Sequence, residues 1–549
     1  MIKSWFEFTR RVPKYIFFTL TCLIFIACSS LSKTSVDNTV YLSNFIKENF
    51  GVSEAFRIAL DSARNKPLVV EEGIYQLEKT VVIPSNTRIL AQGRVVVQNA
   101  KNTSHILFDL KSNSNIYIEG LTFENQNASL GLFSNCIYSN TKKGMNNLVV
   151  KNCSSVNTGA LVLLDSRNEA LLDSSNGKQF IHSIIIDGCN AKNTIVPAFE
   201  FNSCSDIKIL NSKVENCYKK SSSSIPNNRE TGIRFINCHD VVIDHNEITR
   251  QGEGSGENSN KRIHAMSFEG SFLNDKDTIR TGCHKVTITN NHLIETGGNG
   301  ITLNAYSDDF VIAHNTINYG RMGEGITIHG QNASPGNPKH DSKSKVSNVL
   351  IRDNIISNRG RTPVDGGVKG KLYFENNTGV SRMSGIIIEK GVNVEIVNNE
   401  INYCFNGIKV GYESSKVKVV NNQISNSAGP SIITDRCENV EILNNQIKNS
   451  SIENGNTNIK NYQKKNKSVI ICSGEGNIRG GQSIVILGNK YSQDNTEGIG
   501  QPEYFLYHGE SQIPASVKLV DNIVELSPNQ KLIHHGSAKL GKDIIIEER

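Results

Sequence analysis

The chain has 549 residues, of which 37% are hydrophobic and 20% charged, with 44 Gly against 12 Pro. This composition excludes a disordered chain and a collagen-like one, and a mean hydropathy of −0.32 excludes a protein that crosses a membrane many times. The formal net charge is +6, half of which falls within residues 1–27. Because no long basic run with interleaved aromatic residues follows, we expect no binding to nucleic acid.

The N-terminus has the pattern of an export signal. Basic residues precede the apolar run 15–27, which is too short to span a bilayer as a helix but suits the core of a signal peptide. Ala27 directly before Cys28 resembles the bacterial lipobox, so residues 1–27 are predicted to be a lipoprotein signal peptide and Cys28 the lipidated N-terminus. Residues 28–40 would form a polar tether. The alternative is an ordinary secretory signal with a chance cysteine.

This pattern predicts an exported protein of the cell envelope. Lipidation at Cys28 would attach it to the envelope membrane, as an outer-membrane lipoprotein.

Residues 41–100 are predicted to form an N-terminal cap and the first coils of the fold. An amphipathic helical pattern begins at Ser53, the predicted N-cap, and extends to about Asn65. Strand-like sequence follows over residues 69–93. The helix is expected to cover the open end of the fold and to protect its unpaired strand edges.

Residues 101–549 carry an internal repeat of about 23 residues. Segments such as VVIDHNEI (241–248) and VEIVNNEI (394–401) alternate β-branched residues and then place an Asn two residues before an Ile. The aligned positions are Asn246, Asn291, Asn315, Asn354, Asn377, Asn399, Asn422, Asn445, Asn489 and Asn522, preceded upstream by Leu121, Cys153, Cys189 and Ser212.

A second strand comes before each of these positions, as in GIRF (232–235), GITI (325–328) and GIII (385–388). Two to three short strands per repeat, without a helix between them, predict a parallel β-solenoid whose stacked coils share one core. Stacking would turn the Asn column into an internal hydrogen-bonded ladder.

The cysteines follow the same columns, which indicates small core residues rather than disulfides. The positions that share a column are Cys204, Cys238, Cys283 and Cys437, and, in another column, Cys217 and Cys404.

The helix near Ser53, the segment IPSNTRILAQG (83–93) and the coils with the Asn ladder resemble the pectate-lyase-like superfamily of right-handed parallel β-helix proteins. The resemblance covers roughly residues 50–525. It implies an all-β, single-stranded right-handed parallel β-helix with about 22–24 residues per coil and an N-terminal capping helix. It also implies a carbohydrate-active protein, but the superfamily includes lyases, hydrolases, epimerases and non-catalytic tailspikes.

Insertions at 218–231, 251–283 and 330–347 break the repeat on both sides of the GIRF-type strands. Loops raised over a rigid scaffold commonly carry functional sites, so we expect them to wall a groove over the outer face of these strands. Residues that alternate with the inward apolar positions would face this groove. They are Glu200, Arg234, Ser267, Glu269, Thr302, Asn304, Thr327, His329, Lys369 and Glu389, with His264 at a strand entrance.

Each of these residues also has a plain structural interpretation, because surface ion pairs between adjacent strands contribute only about 0–1 kcal/mol and need have no further role. Lys409 and the later coils have no flanking insertions, and we expect them to be ordinary solvated surface.

The leading hypothesis is a lyase that cleaves an acidic, uronate-containing polysaccharide by β-elimination. This reaction needs a base to remove the proton next to the carboxylate, and cations or donors to stabilise the enolate. Lys369 or His329 would be the base, and Arg234 with Asn304 would neutralise the carboxylate. Glu269 completes the candidate catalytic set. The candidate substrate-binding residues are His264, Asn304, Thr302, Thr327, Glu200 and Glu389.

Two alternatives stay open. A glycoside hydrolase needs two carboxyl groups about 5–9.5 Å apart, which Glu200 and Glu269 could provide with Arg234 between them. Glu269 with Asp308 or Glu324 is a second carboxyl pair. The other alternative is a non-catalytic module that binds glycan or a neighbouring envelope protein.

We expect a monomer whose partner is an anionic polysaccharide. No metal site is predicted, since no CxxC motif or His/Cys cluster occurs. The calcium-binding Asp clusters of known lyases are not visible either, so no cofactor is predicted with certainty and calcium is left open.

Overall fold

The computed structural model describes residues 38–47, 51–101, 103–125, 134–141, 143–166, 181–217, 231–249, 264–272, 280–296, 298–319, 323–330, 344–358, 384–452, 467–473, 482–494, 500–509, 516–535 and 544–547. The signal peptide, Cys28, most of the tether and the greater part of the three insertions lie outside these residues.

The chain folds as a parallel β-solenoid, as predicted. Each complete coil contributes three strands, and each strand pairs in parallel with the equivalent strand of the neighbouring coil. The stacked strands form three faces, which we number in the order first, second and third. The first and second faces belong to one sheet, because the long strands Pro67–Leu77, Thr87–Asn99 and Ile116–Glu124 run through both.

The first face continues with longer strands: Met145–Lys151, Ile181–Asp187, Cys204–Leu210, His239–Asp244, His284–Thr289, Asp308–Ala313, Val346–Arg352, Gly391–Val397, Ser415–Val420, Glu438–Leu443, Gln482–Leu487, Val517–Val520 and Ile544–Glu547. The second face continues with short strands: Ser154–Val156, Asn190–Lys192, Lys213–Glu215, Glu247–Thr249, His292–Thr296, Thr316–Tyr319, Ile355–Asn358, Glu400–Asn402, Gln423–Ser425, Gln446–Lys448, Lys490–Ser492 and Ile523–Val524.

The third face contains the GIRF-type strands. Its members are Val81–Val82, Phe108–Asp109, Ile137–Asn140, Val162–Asp165, Phe199–Asn202, Thr231–Ile236, His264–Glu269, Ile301–Asn304, Ile326–His329, Ser384–Glu389, Asn406–Gly411, Ile432–Asp435, Ser468–Ser473, Tyr504–His508 and Lys531–His535. Three further strands are Val40–Tyr41, which joins the first sheet, and the antiparallel pair Ser271–Phe272 and Arg280–Thr281.

The Asn ladder is confirmed at the turn from the first to the second face. In each rung the backbone N–H and the side-chain amide of one Asn both donate to the Oδ1 of the next, as Asn399 does to Asn422 at 2.9 and 3.0 Å. The residue before each ladder Asn takes the left-handed backbone conformation, which Asn tolerates better than most residues, and this explains the repeated Asn-Asn pair.

One rung of the predicted ladder is wrong. The backbone N–H of Asn354 donates directly to Oδ1 of Asn399 at 3.0 Å, so no rung stands between them. Asn377, which was assigned to this place, lies outside the described residues. The repeat spacing alone suggested an extra coil here, but strand Val346–Arg352 pairs directly with Gly391–Val397.

The N-terminal helix spans Val52–Ser62, and its apolar face, including Phe56, is buried against the first coils. The predicted N-cap is wrong: Gly51 occupies that position, without a side-chain hydrogen bond. Glu78, directly after strand Pro67–Leu77, accepts the N–H groups of Val52 and Ser53 at 3.1 and 3.0 Å instead. The hydroxyl of Ser53 is used to accept the backbone N–H of Glu78 at 2.9 Å.

The core agrees with the column prediction. The ten cysteines within the described residues are free and buried, as predicted for core positions. Phe201, Phe235 and Phe268 stack on successive coils with ring centroids 5.4 and 4.9 Å apart. Among the described residues, no helix is long and apolar enough to cross a membrane.

Candidate functional site

Most of the predicted site residues that the structure describes lie on the outer side of the third face. Strand pairing aligns them in one outer row, in which each residue has the next as its partner on the neighbouring strand. The row is Glu200, Arg234, Ser267, Thr302, Thr327, Ile387 and Lys409. Two positions further along these strands, Asn304 pairs with His329, and His329 pairs with Glu389. The alternation rule therefore placed these residues on the correct side of the strands.

The first group in the row is a buried ion cluster around Arg234. Its Nε and NH2 donate to the two carboxylate oxygens of Glu269 at 3.0 and 2.6 Å. Its NH1 lies 3.5 Å from Oε1 of Glu200, and Ser267 adds a hydrogen bond to Glu269 at 3.0 Å. Arg234 and Glu200 are both buried. The guanidinium of Arg234 is therefore withdrawn from solvent, and its ion pairs do not lie at the surface.

The second group is a network of amide and hydroxyl groups around Asn299. Its side-chain amide donates to the hydroxyls of Thr302 and Thr327 at 3.1 and 3.0 Å. Its backbone N–H donates to Nδ1 of His264 at 3.0 Å, and its Oδ1 accepts the backbone N–H of Glu324 at 3.1 Å. Since a backbone N–H can only donate, Nδ1 of His264 is the acceptor and the ring hydrogen is on Nε2.

The third group is a His–Glu pair. Nδ1 of His329 donates to Oε2 of Glu389 at 2.6 Å across adjacent strands. The His329 side chain is 38% exposed, whereas that of Glu389 is only 14% exposed. With Nδ1–H held by the carboxylate, the second ring nitrogen, Nε2, carries the lone pair. This arrangement is that of an oriented general base.

Lys369 lies outside the described residues. The predicted register placed it on its own coil between His329 and Glu389, but strand Ile326–His329 pairs directly with Ser384–Glu389. The same direct pairing that removes Asn377 from the ladder thus leaves no strand of the third face between these two residues.

Lys409 also departs from the prediction of ordinary solvated surface. Its side chain is only 13% exposed, and Nζ lies 3.9 Å from Oε1 of Glu389. The same ammonium lies 5.1 Å from the ring centroid of Tyr412. The His–Glu pair is therefore continued by a cation on the next coil, although no insertion flanks that coil.

Two further features near the pair were not found from the sequence. Lys390 and Arg436 occupy the turn from the third to the first face, on either side of Tyr412. The guanidinium of Arg436 lies 3.9 Å from the Tyr412 ring centroid and 3.1 Å from Asp435. The signal that could have found them is the charged or aromatic residue that directly follows three successive strands of this face, Ser384–Glu389, Asn406–Gly411 and Ile432–Asp435.

Within the part of the chain that the structure describes, no group of three or more His, Cys, Asp or Glu side chains is arranged to hold a metal ion. Asp308, a partner considered for Glu269, lies on the first face and accepts a hydrogen bond from Nδ1 of His284.

Comparison with known proteins supports the fold directly. Residues 338–490 match the family described as right-handed β-helix region. No curated protein matches the sequence significantly.

Several solved structures superpose on the chain at low sequence identity. The pre-mature gene product 12 of bacteriophage phi29 superposes with a TM-score of 0.52 and 12% identity, over 92% of this chain and 65% of that one. A mutant tailspike protein of E. coli bacteriophage HK620, in complex with a pentasaccharide, gives 0.50 and 10%, over 93% and 80%. Tailspike protein 3 of bacteriophage CBA120 gives 0.42 and 12%, and this chain spans 62% of its length.

These findings define the chain as a right-handed parallel β-helix protein.

Proposed function

We propose that this chain binds an acidic polysaccharide along the outer side of the third face and cleaves it by β-elimination, with His329 as the base. The observation that carries this proposal is the hydrogen bond from His329 Nδ1 to Glu389. It holds the exposed imidazole in the orientation in which Nε2 can accept a proton.

The first step of the reaction is the removal of a proton. His329 Nε2 takes the proton from the carbon next to the substrate carboxylate, and the electrons of that C–H bond form the enolate. As the carbon–carbon double bond forms, the glycosidic C–O bond breaks. The departing oxygen leaves as a hydroxyl group that carries the proton. Glu389 stabilises the imidazolium during this step, because its carboxylate accepts the Nδ1–H.

The ion cluster further along the row is less suited to chemistry. Arg234 was predicted to neutralise a substrate carboxylate, but its guanidinium already bonds to Glu269 and Glu200. The same contacts disfavour a hydrolase that uses these two carboxyl groups, since both are bound to one guanidinium. We therefore assign this cluster a structural role in holding three coils together.

A glycan ligand is supported by one structural relative. The HK620 tailspike protein with the same fold was solved in complex with a pentasaccharide. Adjacent coils stack about 4.8 Å apart, a spacing close to the length of one sugar residue, so a glycan chain lying along the row would place successive units on successive coils.

The test is to incubate the purified protein with a panel of acidic and neutral polysaccharides. Absorbance near 235 nm, which reports the new double bond, is followed together with reducing ends. We expect both to rise on acidic substrates. New reducing ends without a rise in absorbance would instead identify a hydrolase. No change in either measurement across the panel would indicate a non-catalytic glycan-binding module.

We also propose that the protein is exported and anchored through a lipid on Cys28, as its N-terminal sequence suggests. Mass spectrometry of the N-terminal peptide from membrane fractions tests this. A mature chain that begins elsewhere, or a Cys28→Ser variant that stays with the membrane, would contradict it.

A further inference from the structure

We propose that Lys390, Tyr412 and Arg436 form a subsite that binds an anionic group of a glycan, either a carboxylate or a sulfate ester. These residues follow three successive third-face strands. The backbone N–H of Lys390 donates to the carbonyl of Tyr412, and that of Tyr412 to the carbonyl of Asp435, each at 3.0 Å. The three residues therefore stack as one turn column beside the His329–Glu389 pair.

Lys390 carries a positive charge without an acceptor. The residue is only 2% exposed, its Nζ is buried, and no described residue accepts a hydrogen bond from it. Burial of an ammonium without a partner is costly, so it is unexpected in a residue with a purely structural role.

The preceding coil makes room for the Lys390 side chain. A β-carbon on Gly330 would lie 2.4 Å from Cβ and 2.8 Å from Cδ of Lys390. The aliphatic part of the lysine side chain therefore packs directly against the glycine. Gly330 follows His329, as Lys390 follows Glu389. The two-residue segments His329-Gly330 and Glu389-Lys390 thus lie side by side, and the buried charge is fixed next to the proposed base.

Arg436 provides the second donor without an acceptor. One end of its guanidinium bonds to Asp435, and its plane lies over the ring of Tyr412. Its Nε is buried, and no described residue accepts from it. Lys409 approaches the same tyrosine ring at 5.1 Å, so the ring is flanked by two cations.

Cations outnumber carboxylates among the mostly buried side chains of this region. The cations are Lys390, Lys409 and Arg436 and the carboxylates are Glu389 and Asp435, while Glu413 lies at the exposed edge of the same turn. An anionic ligand at the partly exposed Tyr412–Arg436 surface would pair with the guanidinium of Arg436. Lys390 would contribute its charge from beneath this surface, without direct contact.

This inference rests on the proposed function but adds the part that recognises charge. A glycan cleaved at His329 would place the acidic group of a neighbouring sugar about one or two coils away, at this turn column. The subsite therefore favours an acidic over a neutral glycan.

Thermal unfolding with added anions tests the subsite independently of catalysis. The probes are sodium sulfate, an oligogalacturonate and a sulfated carrageenan oligosaccharide, with sodium chloride at matched ionic strength and dextran as references. We expect at least one acidic probe to raise the Tm of the wild-type protein by several degrees above its reference. Lys390→Met and Arg436→Gln should each remove most of this rise. Lys418→Gln, which removes an exposed lysine on the first face, should retain it.

Without ligand, Lys390→Met should raise the Tm, because it replaces an unpartnered buried ammonium by an apolar chain of similar length. The inference is overturned if no anion stabilises the wild-type protein, if the two subsite variants respond like wild type, or if Lys390→Met lowers the Tm. A His329→Gln variant should keep the anion response. If the response is kept while no substrate is cleaved, only the proposed chemistry fails.

Discussion

The backbone N–H of Asn354 donates to the side chain of Asn399 at 3.0 Å, although the chain between them is long enough to form another coil. This bond shows that the coils on either side of residues 359–383 are direct neighbours. The same stacking brings His329 against Glu389 on the third face. The candidate site therefore depends on a coil-to-coil contact that bypasses a whole segment of the chain.

The His329–Glu389 pair should be essential for catalysis but not for stability. His329→Gln should lower kcat about 10²–10⁴-fold, because it removes the proposed base. Glu389→Gln should have a smaller effect in the same direction, since the amide can still orient the ring but cannot stabilise its charged form. KM should change little in both variants. Initial rates at 235 nm measure this.

Glu395→Gln is the matched control for this pair, since it neutralises a half-exposed glutamate on the first face. Full activity of His329→Gln would contradict the assignment of the base.

The buried ion cluster should stabilise the fold strongly. Arg234→Met should lower the free energy of unfolding by about 3–5 kcal/mol, because it leaves the buried carboxylate of Glu200 and the partly buried carboxylate of Glu269 without their shared counter-ion. Urea denaturation followed by circular dichroism measures this. Combining it with Glu200→Gln and Glu269→Gln should recover much of the loss.

Arg57→Met, which removes a half-exposed arginine on the N-terminal helix, is the control and should change the stability by less than about 1 kcal/mol. An equally small effect of Arg234→Met would show that the cluster is not an important stabilising element.

The Asn ladder should be sensitive to single substitutions. Asn422 accepts from the backbone N–H of Asn399 at 2.9 Å, and its own amide donates to the carbonyl of Ile396 at 2.9 Å. Asn422→Ala leaves these buried groups without partners and should cost about 1–3 kcal/mol of unfolding free energy. Gln423→Ala changes the exposed neighbouring residue and should be nearly neutral. Equal urea midpoints for the two variants would argue against the role of the ladder.

The core cysteines should be unreactive and should make the fold sensitive to alkali. Burial raises the pKa of Cys472 from 9.0 to about 12, and burial likewise raises the pKa of Cys189 to about 12. In the unfolded chain these thiols ionise near their ordinary pKa, so the unfolded state holds fewer protons above pH 9. Stability from these groups is therefore complete below pH 9 and is lost as the pH rises towards 12.

Urea midpoints at pH 8 and pH 10, together with thiol labelling in the native and unfolded states, test this. Native labelling of the core thiols at pH 8 as fast as in urea would contradict it. Cys472→Ala should reduce the fall in midpoint between the two pH values.

The fold could be predicted from the sequence because its signals are local and repeated. The alternation of β-branched residues sets which side chains enter the core, and the ladder Asn marks the turn in every coil. The same alternation correctly placed Arg234, Thr302 and His329 on the outer side of the third face. Each of these predictions needs only the few residues around the position concerned.

The site could not be predicted to the same degree. Counting repeats placed Lys369 and Asn377 on an extra coil, whereas the tertiary structure pairs the coils on either side directly. The sequence also could not show that Arg234 is buried between two carboxylates, or that the Lys390 side chain packs against Gly330.

The sequence by itself therefore determined the solenoid, its inward and outward positions and the chemistry of its turns. Only the tertiary structure decided which coils are neighbours across the insertions, and thus which charged groups meet. The physical reason is that strand alternation is a property of each segment alone. The choice of neighbour depends on the combined backbone pairing, ladder bonding and core burial of two whole coils.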